Sequence, residues 1–131
     1  MHRRLTLLAF SIMLAMSTFS LKARALQLIM FEQEACEWCE VWDEEIGPVY
    51  SKTKEGKLAP LRRVDIFDKR PKDLEGIRNP RFTPTFVLFH EGKEIGRIRG
   101  YPGEDFFWGM LGELLKKPAA KAAIASPKQD Q

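Results

Sequence analysis

Apolar positions along the chain follow two periods, one of strands and one of helices. Residues 26–31, Leu-Gln-Leu-Ile-Met-Phe, form a short apolar run of the kind a buried strand needs. Trp38, Val41, Trp42, Ile46 and Val49 then recur at helical spacing, with Gly47-Pro48 expected to interrupt the helix. Residues 58–67 read as a second strand through Leu61, Val64 and Ile66. Residues 68–82 are polar, basic and proline-punctuated, which predicts a loop with one or two helical turns at 73–77. Residues 85–90 form another buried strand, Glu91-Gly92-Lys93 a hairpin turn, and residues 94–100 an imperfectly alternating edge strand. Phe106, Phe107, Met110, Leu111, Leu114 and Leu115 lie on one stripe of a final helix. Glu104 and Asp105 suit its positive end, Lys116 and Lys117 its negative end, and Pro118 stops it. Residues 118–131 read as a disordered tail. The order β-α-β-(α)-β-β-α predicts an α/β fold, a small mixed sheet flanked by helices.

The segment before the first strand has a different character. Met1-His2-Arg3-Arg4 is a basic start, residues 5–16 are mostly apolar, and Ala23-Arg24-Ala25 has the small-x-small form that signal peptidase accepts. Residues 1–25 are therefore expected to be a signal peptide cleaved after Ala25, which exports the mature chain to an oxidising compartment. An uncleaved anchor is the alternative, because the loose apolar stretch of about 17 residues is at the lower limit for spanning. At 131 residues the chain has room for one domain, assigned to residues 26–117, and not for separate cofactor and substrate domains. The formal net charge of +3 belongs to the leader, which holds Arg3, Arg4, Lys22 and Arg24 and no acid. The remainder is close to neutral. Nucleic acid is thus not an expected partner, and the run Lys69, Arg70, Lys72, Arg78 and Arg81 is broken by Asp68, Asp73 and Glu75. That run is either a second docking patch or a solvated loop.

Two cysteines, Cys36 and Cys39, are too few and too close to staple a fold. At a helix N-terminus the first becomes chemically special, since free N–H groups and the helix dipole stabilise its thiolate. Cys36 is then the attacking nucleophile, expected to be exposed. Cys39, expected to be shielded, resolves the mixed disulfide and closes the 36–39 bond. Half a zinc site is the competing reading, but the chain has no further Cys and only His90 outside the leader, so no metal is assigned. A two-thiol copper chaperone and a binding module with an inert structural disulfide remain as alternatives.

Pro84 in Phe82-Thr83-Pro84-Thr85-Phe86 opens a strand, a candidate cis peptide. A strand, Cys-x-x-Cys at a helix start, a kinking proline nine residues after the second cysteine, Thr-Pro-Thr opening a strand, a hairpin and a last amphipathic helix together resemble the thioredoxin family. Met30-Phe31-Glu32-Gln33, Leu61-Arg62-Arg63-Val64-Asp65-Ile66 and the stretch from Gly100 to Trp108 are similar to the periplasmic thioredoxin-like proteins of bacterial sulfur-oxidation systems. The resemblance implies a cis Pro84 against the cysteine pair, with the Thr83 backbone bonding an extended segment of the partner. It implies a thiol–disulfide oxidoreductase with no cofactor beyond its redox-active disulfide. It further implies a disulfide-bearing periplasmic substrate protein, such as a sulfur carrier, and a membrane thiol-transfer protein as electron donor.

The chain departs from thioredoxin in three respects. It starts almost directly on the strand before the site, so four strands are expected rather than five. Glu37-Trp38 replaces the Gly-Pro between the cysteines. The buried acid that assists the resolving cysteine falls at Met30, which leaves Glu32 or water to take the Cys39 proton. Residues 32–45 carry Glu32, Glu34, Glu37, Glu40, Asp43, Glu44 and Glu45 and no Lys or Arg. Such charge opposes a thiolate and favours a reductant, with Glu37 tuning the site, unless the acids merely line a solvated helix face. Trp38 is either an exposed contact for the partner or packs back on the loop.

Overall fold

The computed structural model describes residues 25–126. The expected signal peptide lies outside them apart from Ala25, as do residues 127–131. Strand β1 (Gln27–Glu32) leads into three short helices, α1 (Glu37–Glu45), α2 (Gly47–Tyr50) and α3 (Lys54–Leu58), which carry the chain over to β2 (Leu61–Asp65). A 3₁₀ turn at Lys72–Leu74 precedes β3 (Thr85–His90) and β4 (Lys93–Arg99), and α4 (Glu104–Lys116) and α5 (Pro118–Ala125) follow. The four strands lie in the order β2-β1-β3-β4, with β1 parallel to β2 and antiparallel to β3. This is the mixed α/β sheet that the periodicity predicts.

Alternation along the strands divides the core in two. Leu28, Met30, Phe86, Leu88 and Ile98 face one side, where they meet Trp42 and Ile46, Tyr50 of α2, and Phe107, Leu111 and Leu114 of α4. Ile29, Phe31, Val64, Val87 and Phe89 face the other, covered by Leu74 and Ile77 from the loop after β2, with Ile66 at the edge and the Arg70 guanidinium 4.9 Å over the Phe31 ring. The first side is bound by aromatic contacts. Trp42 lies 5.3 Å from Phe86 and 5.8 Å from Phe107, and Phe86 and Phe107 are 5.0 Å apart edge to face. Trp108 stacks on Tyr50 at 6.0 Å. Tertiary arrangements of this kind add about 0.5–1.5 kcal/mol per pair beyond burial.

Two local results differ from the sequence reading. The second strand begins at Leu61, because Thr53 caps a helix over the polar residues before it: its Oγ1 accepts from the Gly56 N–H at 3.0 Å. The tail expected to be disordered from residue 118 is helical through Ala125, with Ala120 fully buried against the main core. Pro118 ends α4 and also supplies the N1 position of α5, where its missing N–H costs nothing. At the outer edge of the sheet, Gly96 lets α4 approach β4 so closely that an added Cβ would crowd Leu114 and Lys117. The Lys117 ammonium donates to the Ile95 carbonyl at 3.1 Å. The hairpin between β3 and β4 closes through Glu91 and Gly92, both at positive φ, 47° and 80°.

Two predictions follow from the α2–α3 corner. A Cβ on Gly56 would overlap the Tyr50 backbone carbonyl. Helix propensity favours Ala over Gly by about 1 kcal/mol, but overlap with rigid backbone costs about 1–3 kcal/mol or more. Gly56→Ala should therefore lower the urea midpoint; a raised midpoint would show that α3 does not pack this way. Tyr50 is buried and donates to the Ala59 carbonyl at 2.7 Å, and burial, aided by the Glu55 charge, pushes its phenol well above the usual tyrosine range. A neutral phenol favoured in the folded state stabilises fully below the unfolded value near pH 10. That contribution is lost as pH rises above it. Stability should fall from about pH 10 upward, and Tyr50→Phe should flatten that part of the pH–stability profile.

Candidate active site

The last residue of β1 is four positions from Cys36, and the chain reverses between them through Ala35 at φ 55°. A non-glycine residue there costs on the order of 1–3 kcal/mol, so the turn is held by what surrounds it. It leaves Cys36 as the N-cap of α1 at φ −89°, ψ 97°. The Cys36 carbonyl accepts from the N–H groups of Cys39 at 3.0 Å and Glu40 at 3.1 Å. The Cys36 sulfur accepts a third bond, from the Cys39 N–H at 3.2 Å. A capping position ordinarily filled by Ser or Asp is thus filled by a cysteine sulfur, and the orphan N–H groups and dipole of the helix bear on it.

Cys36 and Cys39 form a disulfide across a Cα–Cα distance of 5.2 Å. Both are buried, at 7% and 4% exposure. The expected contrast between an exposed and a shielded cysteine is therefore absent from this disulfide form. What distinguishes the two is position, because Cys36 caps the helix while Cys39 lies one turn inside it among Trp42 and the main core. Between them Glu37 is exposed and Trp38 stands 56% open to solvent. Trp38 thus does not pack back on the loop.

The peptide bond between Thr83 and Pro84 is cis, with Pro84 buried and Thr83 half-buried. The Pro84 carbonyl accepts from the Gly100 N–H at 2.7 Å, and the Thr85 hydroxyl donates to the Phe82 carbonyl at 2.6 Å. Sheet register brings this turn to the disulfide's end of the fold. Phe31 pairs with Thr85, so β1 runs out toward Cys36 beside the point where the chain enters β3.

A likeness to a solved structure can now be weighed against this geometry. The periplasmic thioredoxin SoxS from Paracoccus pantotrophus, in its reduced form, is 52% identical to this chain, matching 69% of it and 95% of its own length with a TM-score of 0.66. The chain belongs to the thioredoxin family. A thioredoxin from Malassezia sympodialis, the allergen Mala s 13, matches 70% of the chain and 79% of its own at 24% identity and TM-score 0.52, a likeness of fold alone. No protein-family model and no curated protein matches the chain. With this membership, the Cys36–Cys39 pair is that of a thiol–disulfide oxidoreductase.

The acids around this thioredoxin site are not equivalent. Arg63 on β2 reaches across to bond Glu32 at 2.5 Å and also pairs with Asp43, while its guanidinium lies 5.8 Å over the Trp42 ring. Hydrogen bonds and charge from those carboxylates hold Arg63 above its usual range. Glu45 accepts from the Tyr101 hydroxyl at 2.5 Å, which ties α1 to the turn before α4. Burial, then the Glu45 bond, pushes that phenol well up. Three of the seven acids therefore have specific partners, Asp43 and Glu45 included, rather than forming a uniform solvated face. Glu34, Glu37, Glu40 and Glu44 stay exposed. Met30 is fully buried where thioredoxin resemblance places an acid, and the Glu32 carboxylate is engaged by Arg63. Arg63 is a site residue that no local sequence pattern marks. Its signal was only an outward position in β2, and its two partners lie 31 and 20 residues away.

Proposed function

We propose that the chain is an exported thiol–disulfide reductant serving a partner protein, with Cys36 as nucleophile and Cys39 as resolving thiol. In the reduced protein the Cys36 thiolate attacks a partner disulfide, breaking that S–S bond and forming a mixed disulfide with release of one partner thiolate. The Cys39 thiolate then attacks the Cys36 sulfur, releasing the second partner sulfur and re-forming the 36–39 bond. Two electrons pass to the partner. The observation that carries the assignment is the Cys39 N–H aimed at the Cys36 sulfur at the head of α1. That donor stabilises negative charge on Cys36 and not on Cys39.

The direction follows from charge. Glu37 and Glu40 sit in the first turn of α1, and no base lies in its last. Exposed Glu34, Glu37, Glu40 and Glu44 counter the helix dipole at the sulfur, with Glu37 in the position to tune it most. A less stabilised thiolate makes the dithiol a better electron donor. Export is supported by the basic-then-apolar start of the chain and by the periplasmic relative. Trp38, Thr83 and Pro84 form the edge that receives the partner. A sulfur-carrier protein as substrate and a membrane thiol-transfer protein as donor complete the reading.

Expressed in its own compartment, a Cys39→Ser variant should accumulate a covalent adduct that reductant releases and mass spectrometry identifies, while Cys36→Ser should form none. No adduct, together with a reduced Cys36 inert to iodoacetamide, would overturn the assignment. The 36–39 potential, measured against glutathione, should lie near the thioredoxin value of about −270 mV; a value near about −120 mV marks an oxidant and reverses the direction.

A further inference from the structure

Beside the Thr83–Pro84 turn the surface opens into a second feature, a cleft of about 590 Å³ with Arg78, Arg81 and Phe82 on one wall and Thr85, Arg97 and Arg99 on the other. The loop supplies the first wall and β3 and β4 the second. Arg97 is fixed by its pairing with Glu94, and it donates to the Arg78 carbonyl at 3.1 Å. Arg78, Arg81 and Arg99 are exposed and make no ion pair among the described residues. Four guanidinium groups thus line the cleft, and three of them, Arg97 and then Arg78 and Arg99, hold the neighbouring Glu94 carboxylate below its usual range. Phe82, 65% exposed, adds an apolar contact at the rim.

The position of the cleft says what it is for. Arg99 pairs with Thr85, and Thr85 with Phe31, so the cleft shares the sheet end from which Cys36 emerges. Arg97 and Arg99 pair with Val87 and Thr85, and Val87 belongs to the core side opposite the one packed by α1 and α4. The cis-proline turn therefore divides an acidic rim, on α1, from a basic cleft. The volume exceeds that of a single oxyanion and suits several side chains. We propose that the cleft docks an acidic segment of the partner polypeptide, flanking the disulfide that Cys36 attacks. This rests on the reading of Cys36 as the attacking thiol. It adds a specificity element: Arg81 and Arg99 select substrates whose cystine is followed or preceded by carboxylates, while the rim of α1 disfavours acids at the cystine itself.

The test uses two synthetic cystine peptides, one flanked by Glu residues and one by Gln. At low ionic strength the reduced protein should turn over the acidic peptide with a kcat/KM about tenfold higher, through KM, and the ratio should shrink in 0.5 M NaCl. Arg81→Gln/Arg99→Gln should bring the ratio close to one, and Arg81→Lys/Arg99→Lys should keep it above that. A ratio near one in the unmodified protein, or a preference that survives the glutamine substitutions, overturns the proposal. Calorimetry on a Cys36→Ser/Cys39→Ser protein, with a cysteine-free acidic peptide, separates docking from redox chemistry. Binding that the glutamine substitutions weaken supports the cleft even if no peptide is reduced, in which case the reductant reading alone fails. Inorganic sulfate binding as tightly as the whole peptide would mark a bare anion site and overturn the polypeptide assignment.

Discussion

Strand β1 is hydrogen-bonded along both edges, to β2 and to β3, and four of its six residues are buried. A strand so placed cannot slip, because a shift of one residue would exchange Leu28 and Met30 with Ile29 and Phe31 between two unlike packing layers. The sheet end at which it stops is therefore determined, and so is the spot where Cys36 caps α1. The same register sets Thr85 opposite Phe31 and Arg99 opposite Thr85. Disulfide, cis-proline turn and arginine cleft are three outputs of one pairing scheme.

Electrostatics then differentiates that sheet end. The helix dipole and the Cys39 N–H act for a thiolate at Cys36, whereas the exposed glutamates act against it. Arg63 offsets part of that opposition by bridging Glu32 and Asp43, and Tyr101 fixes the position of Glu45. Exposed ion pairs of this sort contribute little to stability, about 0–1 kcal/mol each. Their larger effect is on which acids remain free to act on the sulfur. An acid count taken from the chain alone overstates the field by the one positive charge that Arg63 sets against Glu32 and Asp43, while Glu45, bonded to a neutral phenol, keeps its own.

What was legible in the sequence was whatever a short window contains. The strands at residues 26–31 and 85–90, the existence of α4, the interruption at Gly47-Pro48 and the Cys36–Cys39 spacing are local patterns, and each has its counterpart in the fold. The stripe of α4 was read too broadly: Phe107, Leu111 and Leu114 are buried, whereas Phe106 and Met110 face solvent. Helix α3 was not legible, since Lys-Glu-Gly-Lys-Leu carries no apolar stripe and is held by the Thr53 cap and by close contact between Gly56 and Tyr50. Helix α5 was hidden because its Pro118 also reads as a stop and its anchoring residue is only an alanine, Ala120. Arg63, Arg97 and Arg99 look like ordinary outward residues of strands. Their meaning comes from pairing register, which brings together residues far apart in the chain.

The outer strands of the sheet have a consequence for association. β2 carries Arg62 and Arg63, and β4 carries Lys93, Arg97 and Arg99, while Lys117, which caps the end of α4, occupies the Ile95 carbonyl. Open strand edges are templates on which a second chain can add, and charged side chains on them are the usual deterrent. The arginines that shape recognition near the disulfide thus also guard against edge-to-edge aggregation, so neutralising them all at once would trade selectivity for a sheet open to extension.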